Sequence, residues 1–203
     1  MSNSSGLGGR TVTADDKREL LLDVAEQVFG TLGYAGTTMA ELAKAAGVTR
    51  PTVYAYFSSK DEVFRALADR VRKEFLRLQE QPPLTEPPAA MVRQIVAQYL
   101  AAYVRHRKLL TVLAHQALSD DEFYEVRREV FARVERRNTR FLERMTEQGA
   151  AKPVVPPEAI SAAVTGLVAR FAELAAAEPA RLAALAGEVA DMYLCLAGMT
   201  DDG

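Results

Sequence analysis

In one short stretch, Thr38, Thr49, Arg50, Thr52, Tyr54, Tyr56 and Lys60 gather hydroxyl, phenol, guanidinium and ammonium groups. That mixture suits a polyanion with readable edges. A guanidinium fork matches O6 and N7 of guanine, which makes Arg50 the first candidate for base contact, with a phosphate oxygen as its other natural acceptor. Thr49 and Thr52 offer hydroxyls to bases or phosphates, although either can simply cap or fill. Tyr54 and Tyr56 each carry a ring for packing and a phenol for a phosphate, and Thr38 can donate to phosphate from a helix start. Lys60 falls at an expected helix N-terminus, where the helix dipole disfavours a cation, so a phosphate would supply its missing partner.

The residues between them predict the elements that hold these groups. Thr38 with Glu41 reads as a capping box, Leu42 and Ala43 face inward, and Ala45-Ala46 permit close approach before Gly47 takes a turn. Thr49 caps the next helix, and Pro51 is tolerated because the first turn needs no N–H there. Val48, Val53 and Phe57 anchor this short helix from beneath. Upstream, Asp15 or Asp16 opens a helix whose Leu20, Leu21, Val24, Ala25, Val28 and Phe29 recur at helical spacing until Gly33 ends it. Downstream, Ser59 with Glu62 predicts a second capping box and a helix to Leu78, roughly 30 Å long at ~1.5 Å per residue. Two short helices about a tight turn, followed by a longer one, present a helix to a DNA major groove.

The run Thr37-Thr38, Leu42-Ala43, Ala46-Gly47-Val48, Thr52-Val53-Tyr54, Tyr56-Phe57 and Lys60, with Ala25, Phe29, Gly33 and Tyr34 upstream, resembles the bacterial TetR-type one-component repressors. The resemblance covers Leu20 to about Leu67 in detail. It implies a homodimer on a palindromic double-stranded operator, usually a repressor, released when a small molecule enters a larger helical domain. An activator or a ligand-independent repressor of the same fold fits these residues as well. A helical enzyme or an adaptor without DNA activity is the competing class.

Composition narrows the field. A formal charge of −2 argues against a protein that coats nucleic acid without sequence preference, so any positive face must come from placement of Arg10, Lys17, Arg18, Lys44, Arg50 and Lys60. Cys195, the one cysteine, excludes an internal disulfide and fits a reducing cytoplasm. No signal peptide and no membrane-spanning apolar run are read in the chain, so a cytoplasmic protein with no membrane partner is expected. His106, His115 and Cys195 lack metal-ligand spacing, and no phosphate loop or serine elbow accompanies Ser119-Asp120-Asp121-Glu122. Neither metal, cofactor nor enzymatic activity is expected.

The remaining pattern predicts an all-α fold of about nine helices: a flexible arm over 1–12, a three-helix helix-turn-helix domain over 13–58, and a larger ligand-binding and dimerisation domain over 59–203. Pro82-Pro83 and Pro87-Pro88 end the long helix. Helices are expected over Ala89–Tyr103 and Leu109–Leu118, separated by a solvated basic turn Arg105-His106-Arg107-Lys108, then over 121–148, 158–177 and 180–196. Arg127 through Arg144 should form a charged outer face laced by i,i+3 and i,i+4 pairs. Candidate effector-binding residues are Phe75, Ile95, Tyr99, Tyr103, Leu113, His115, Phe123, Phe131, Asn138, Phe141 and Phe171. Asn138 and His115 are the polar anchors among them, with a protein-satisfied side chain as the alternative for each. Ile160, Val164, Leu167, Val168 and Phe171 on one helix, and Leu182, Leu185, Val189, Met192 and Tyr193 on the next, form two stripes expected to build a four-helix dimer interface.

Overall fold

Thr13 opens the first helix through a reciprocal capping box: its hydroxyl accepts Asp16 N–H at 3.1 Å, while Asp16 Oδ2 accepts Thr13 N–H at 2.9 Å. In this computed structural model, which describes residues 13–80 and 87–200, the helix that follows is α1 (Ala14–Gly36). The expected arm over 1–12, with Arg10, and the break at Pro82-Pro83 lie outside the described residues. Leu21, Leu22, Ala25 and Phe29 of α1 are buried, whereas Leu20 faces outward. At Gly33, φ 69° and ψ 178°, the backbone leaves helical values, so α1 kinks there before its last short helical stretch to Gly36.

Then come α2 (Met39–Ala45), α3 (Arg50–Tyr54) and α4 (Lys60–Leu78). The chain divides into two compact units between Phe64 and Arg65, within α4 rather than at its start. Phe64 explains the position of that division, because its fully buried ring meets Phe29 edge-on at 5.0 Å and Tyr34 at 5.4 Å.

Within the second unit, α5 (Pro88–Gln116) is followed by α6 (Asp121–Glu147), α7 (Pro157–Ala177), a 3-10 turn over Pro179–Arg181, and α8 (Leu182–Ala197). Eight α-helices and one 3-10 turn thus account for the all-α architecture among the described residues. α5 packs on α7 and α8, α6 packs on α7, and α7 packs on α8. Gly198 closes α8 in a left-handed conformation, φ 60°, and a Cβ there would lie 2.0 Å from the Lys152 carbonyl oxygen. Only glycine fits, because the 152–154 segment returns across the helix end, with Lys152 N–H bonding Ala197 O at 3.0 Å.

Two expectations need correcting here. α5 runs unbroken through Arg105–Lys108, since charged residues without glycine or proline leave helical hydrogen bonding intact. His106 is consequently no solvated turn residue: it is buried, with Nε2 2.8 Å from Glu74 Oε2. The second correction concerns α7, whose 21 residues are long and apolar enough to cross a membrane by length and composition. Alanines and Gly166 supply that apolarity without forming a conspicuous run of large side chains, and the Arg170–Glu173 pair at 2.7 Å still interrupts it.

Glu74 predicts an acid-side dependence of stability. Desolvation raises its pKa, but hydrogen bonds from His106 and Arg105 outweigh that effect and hold the carboxyl below its ordinary 4.5. A carboxylate with a depressed folded value stabilises the fold above its unfolded pKa and loses that contribution as pH falls through the folded one. Urea midpoints should therefore decline below about pH 4.5, and Glu74→Gln should flatten that decline. Parallel curves for the two proteins would remove Glu74 as the cause.

Candidate functional site

Helix α3 owes its position to the turn before it. Thr38 Oγ1 accepts Glu41 N–H at 3.1 Å to start α2, and Gly47 reverses the chain at φ 65°, a value most side chains resist. Thr49 Oγ1 then accepts Thr52 N–H at 3.3 Å and lies 2.8 Å from the Thr52 hydroxyl, so both threonines share one local network. Val53 and Phe57 are buried beneath α3, while Val48 is half-buried. Thr38, Thr49, Arg50 and Tyr54 are exposed, and Thr52 and Tyr56 are half-buried. Hydrogen-bonding groups thus lie outward on a short helix held by an apolar underside.

The first turn of α4 is clipped to the end of α1. Lys60 Nζ donates to Tyr34 O at 3.1 Å and lies 4.3 Å from the Tyr34 ring centre, while the Tyr34 hydroxyl donates to Asp61. Lys60 therefore has a protein partner at its helix start, and two ammonium protons remain for another acceptor. Ser59 Oγ accepts Glu62 N–H at 3.1 Å as expected of a cap, but the Glu62 carboxylate reaches back to Ser58, at 2.6 Å from its N–H and 2.7 Å from its hydroxyl. Those bonds hold Glu62 below the usual carboxylate range.

The second unit contains a cavity of about 400 Å³ lined by Gln79, just past the end of α4, and by residues of α5 to α8. Ile95, Tyr99, Asn138 and Phe141 are its sequence-expected members. Phe75, Tyr103 and Phe131 instead cluster behind Tyr99: Phe75 meets Tyr99 edge-on at 4.7 Å, stacks with Tyr103 at 6.1 Å and leans on Phe131 at 6.3 Å. Leu113 and Phe123 are buried away from the lining, and Phe171 is half-buried away from it. His115 is exposed and also absent from the lining, because it lies out of phase with the buried stripe of α5.

Asn138 occupies a closed polar network at the cavity wall. Ser161 donates to Pro157 O at 2.9 Å, so its oxygen can only accept, and it accepts Asn138 Nδ2 at 3.1 Å and Thr139 Oγ1 at 3.0 Å. That polarity fixes the amide: Asn138 Oδ1 must face the Tyr193 hydroxyl, which donates to it at 2.7 Å. Burial pushes the Tyr193 phenol well up, and the bond to Asn138 only partly opposes this, so the hydroxyl remains a donor. Asn138 keeps one N–H and one lone pair for other partners. Asn138→Leu should cost about 1–3 kcal/mol in chemical denaturation by stranding the Tyr193 hydroxyl, and adding Tyr193→Phe should recover part of that loss. Additive losses would disprove the pairing.

Sequence reasoning missed Gln79, Val92, Val96, Val134, Glu135, Arg137, Arg140, Arg144, Ser161 and Thr165 as lining residues. Ser161, a polar residue buried at 2% exposure on an otherwise apolar helix, was the available signal. Val164 and Tyr193, expected at a dimer interface, line the cavity instead. Ile160, Val168, Leu185 and Val189 are likewise buried within their own chain, because the strict helical stripe points inward. Leu167, Phe171, Leu182 and Met192 remain half-exposed. On α6 the expected lacing is thin: Arg128 pairs with Glu125 at 2.5 Å, and Arg127 lies 5.8 Å from the Phe131 ring centre.

A family model described as bacterial regulatory proteins, tetR family, matches residues 21–67. The HTH-type transcriptional regulator AcrR of Shigella flexneri is 32% identical over 108 residues, covering 51% of this chain and 50% of that protein. The HTH-type transcriptional regulator TtgR of Pseudomonas putida is 29% identical over 121 residues, covering 57% and 58%. The chain spans about half the length of these curated relatives. A solved TetR-like transcriptional regulator from Rhodococcus sp. RHA1 is similar at a TM-score of 0.72 and 26% identity, over 92% of this chain and 98% of that one. Salmonella enterica GusR shares the fold at a TM-score of 0.79 and 17% identity, over 93% and 100%. The matched segment contains the whole α2–turn–α3 arrangement, so residues 21–67 carry the N-terminal segment of the tetR family of bacterial regulatory proteins, in a chain whose helical fold is similar to that of solved TetR-like regulators.

Proposed function

We propose that this protein is a homodimeric transcriptional repressor of the cytoplasm, reading a palindromic operator through α3 and released when a small, largely apolar molecule occupies the cavity of the second unit. The outward hydrogen-bonding surface of α3, anchored by Val53 and Phe57, carries the reading. Arg50 contacts a base, Thr49 and Thr52 contact bases or phosphates, and Thr38, Tyr54, Tyr56 and Lys60 contact phosphates. The half-exposed residues of α7 and α8 form the subunit contact, and two copies present two α3 helices to successive turns of one DNA face. The effector acts by preferring the arrangement that cannot bind DNA, since equal affinity for both states would shift nothing.

Mobility-shift titration of the chain against the DNA upstream of its own coding sequence tests the assignment. Tight, salt-sensitive, sequence-preferring binding is expected, with release as candidate effectors are added. Equal binding to scrambled DNA would overturn the operator assignment. A molecule that fills the cavity yet leaves operator affinity unchanged at matched salt would overturn the release mechanism alone, leaving an effector-independent repressor. Binding that strengthens on effector addition would identify an activator-like state of the same fold.

A further inference from the structure

The cavity of the second unit is not uniformly apolar. Its wall of valines, with Phe141, meets three arginines of α6 along one edge: Arg137, Arg140 and Arg144, all exposed and set against the single carboxylate of Glu135. In a chain of formal charge −2, that is a local excess of positive charge around an apolar hole. Arg137 spends one guanidinium N–H on Leu76 O at 3.0 Å. Neither Arg140 nor Arg144 has a side-chain hydrogen bond or ion pair among the described residues. Their charges are therefore free for something that enters.

Deeper in, a second polar feature is unanswered. The Tyr99 hydroxyl is buried in the lining with no hydrogen-bond partner, and the same is true of Gln79 Oε1, whose amide nitrogen is already committed to Val134 O at 3.1 Å. A buried polar group without a partner costs stability, so its retention beside a cavity points to a partner that arrives with a ligand. A phenol donates and an amide oxygen accepts, and a hydroxyl group on the ligand satisfies both kinds of partner.

We infer that the effector is an amphipathic organic anion: an apolar or aromatic body within the valine wall, a carboxylate or similar oxyanion against Arg140 and Arg144, and a hydroxyl reaching Tyr99. This rests on the cavity being the effector site. Guanidinium forks favour planar oxyanions, which they hold by paired charge-assisted hydrogen bonds, while the adjoining valines hold the apolar body. The network of Asn138 is not required for it, being closed within the protein apart from one donor and one acceptor.

Isothermal titration calorimetry of the full chain with 2-naphthoate, 6-hydroxy-2-naphthoate, 2-naphthol, decanoate and decan-1-ol tests each part. The anions should bind about tenfold or more tightly than their uncharged analogues, with an advantage that shrinks as salt rises. Arg140→Gln combined with Arg144→Gln alters two exposed side chains, so the fold should persist by circular dichroism while the anionic advantage disappears and affinity for the neutral probes stays unchanged. The hydroxyl of 6-hydroxy-2-naphthoate should add affinity that Tyr99→Phe removes. If neutral probes match the anions and the double variant changes nothing, the anionic inference fails while the effector cavity stands. If no probe of either charge binds into the millimolar range, both fail. If the added hydroxyl gains nothing in the unmodified protein, Tyr99 has no ligand role.

Discussion

Replacing Arg50 and Tyr54 together by alanine is expected to weaken operator binding by roughly a hundredfold to ten-thousandfold while leaving the first unit folded. A bidentate arginine–guanine contact contributes about 1–3 kcal/mol of discrimination, and a two-fold symmetric dimer makes it twice, giving roughly 2–6 kcal/mol before any phenol–phosphate bond is counted. At about 1.4 kcal/mol per tenfold, that spans the stated range. Folding should survive because neither side chain builds the core: Arg50 is exposed, Tyr54 is 48% exposed, and Val53 between them does the anchoring at 1%. Fluorescence anisotropy over a salt series separates the two possible roles of Arg50. If it reads guanine, Arg50→Ala relaxes the preference at one base pair of each half-site. If it touches phosphate instead, the slope of log affinity against log salt falls by about two per dimer and the preference is unchanged. Unaltered, salt-sensitive operator binding by the double variant would show that α3 is not the reading surface.

That surface was legible in sequence because it is built from local rules. Thr38 and Thr49 bond backbone groups three residues away, and Gly47 turns the chain where a left-handed residue is needed. The second unit was harder, since its helices are apolar on more than one side. Periodicity did contain the fate of His106, which falls in phase with buried Ala102, Leu109 and Leu113, whereas His115 does not. Reading the charge run Arg105–Lys108 as a turn concealed it. Nothing in helical spacing tells a side chain packed against a wall from one facing a hole. Phe75 and Phe131 therefore sat on the same footing as Tyr99 and Phe141 until the helices were in place. Gln79 and the α6 arginines escaped because a polar lining residue looks like an ordinary surface residue in sequence.

The largest expected effect outside the reading surface comes from two glycines. Gly166 of α7 and Gly187 of α8 lie within helices, where glycine is less favourable than alanine by about 1 kcal/mol, and a Cβ at either would meet nothing within 4 Å. Packing inside the chain therefore does not require them. Over an 18-residue window α7 has a mean hydropathy of 1.4, yet only 33% of that window is buried by its own chain. An apolar helix with a smooth, uncovered side is what a second α7–α8 pair would need for close backbone approach. Gly166→Gln combined with Gly187→Gln should then act in opposite directions on the two levels of structure. Each chain gains helix propensity and keeps its circular dichroism spectrum, while the longer side chains force the subunits apart and light scattering reports monomers. Operator affinity should fall about a hundredfold to ten-thousandfold, because linked half-site binding becomes two independent events. A folded dimer that still binds its operator would place the subunit contact elsewhere than on these two helices.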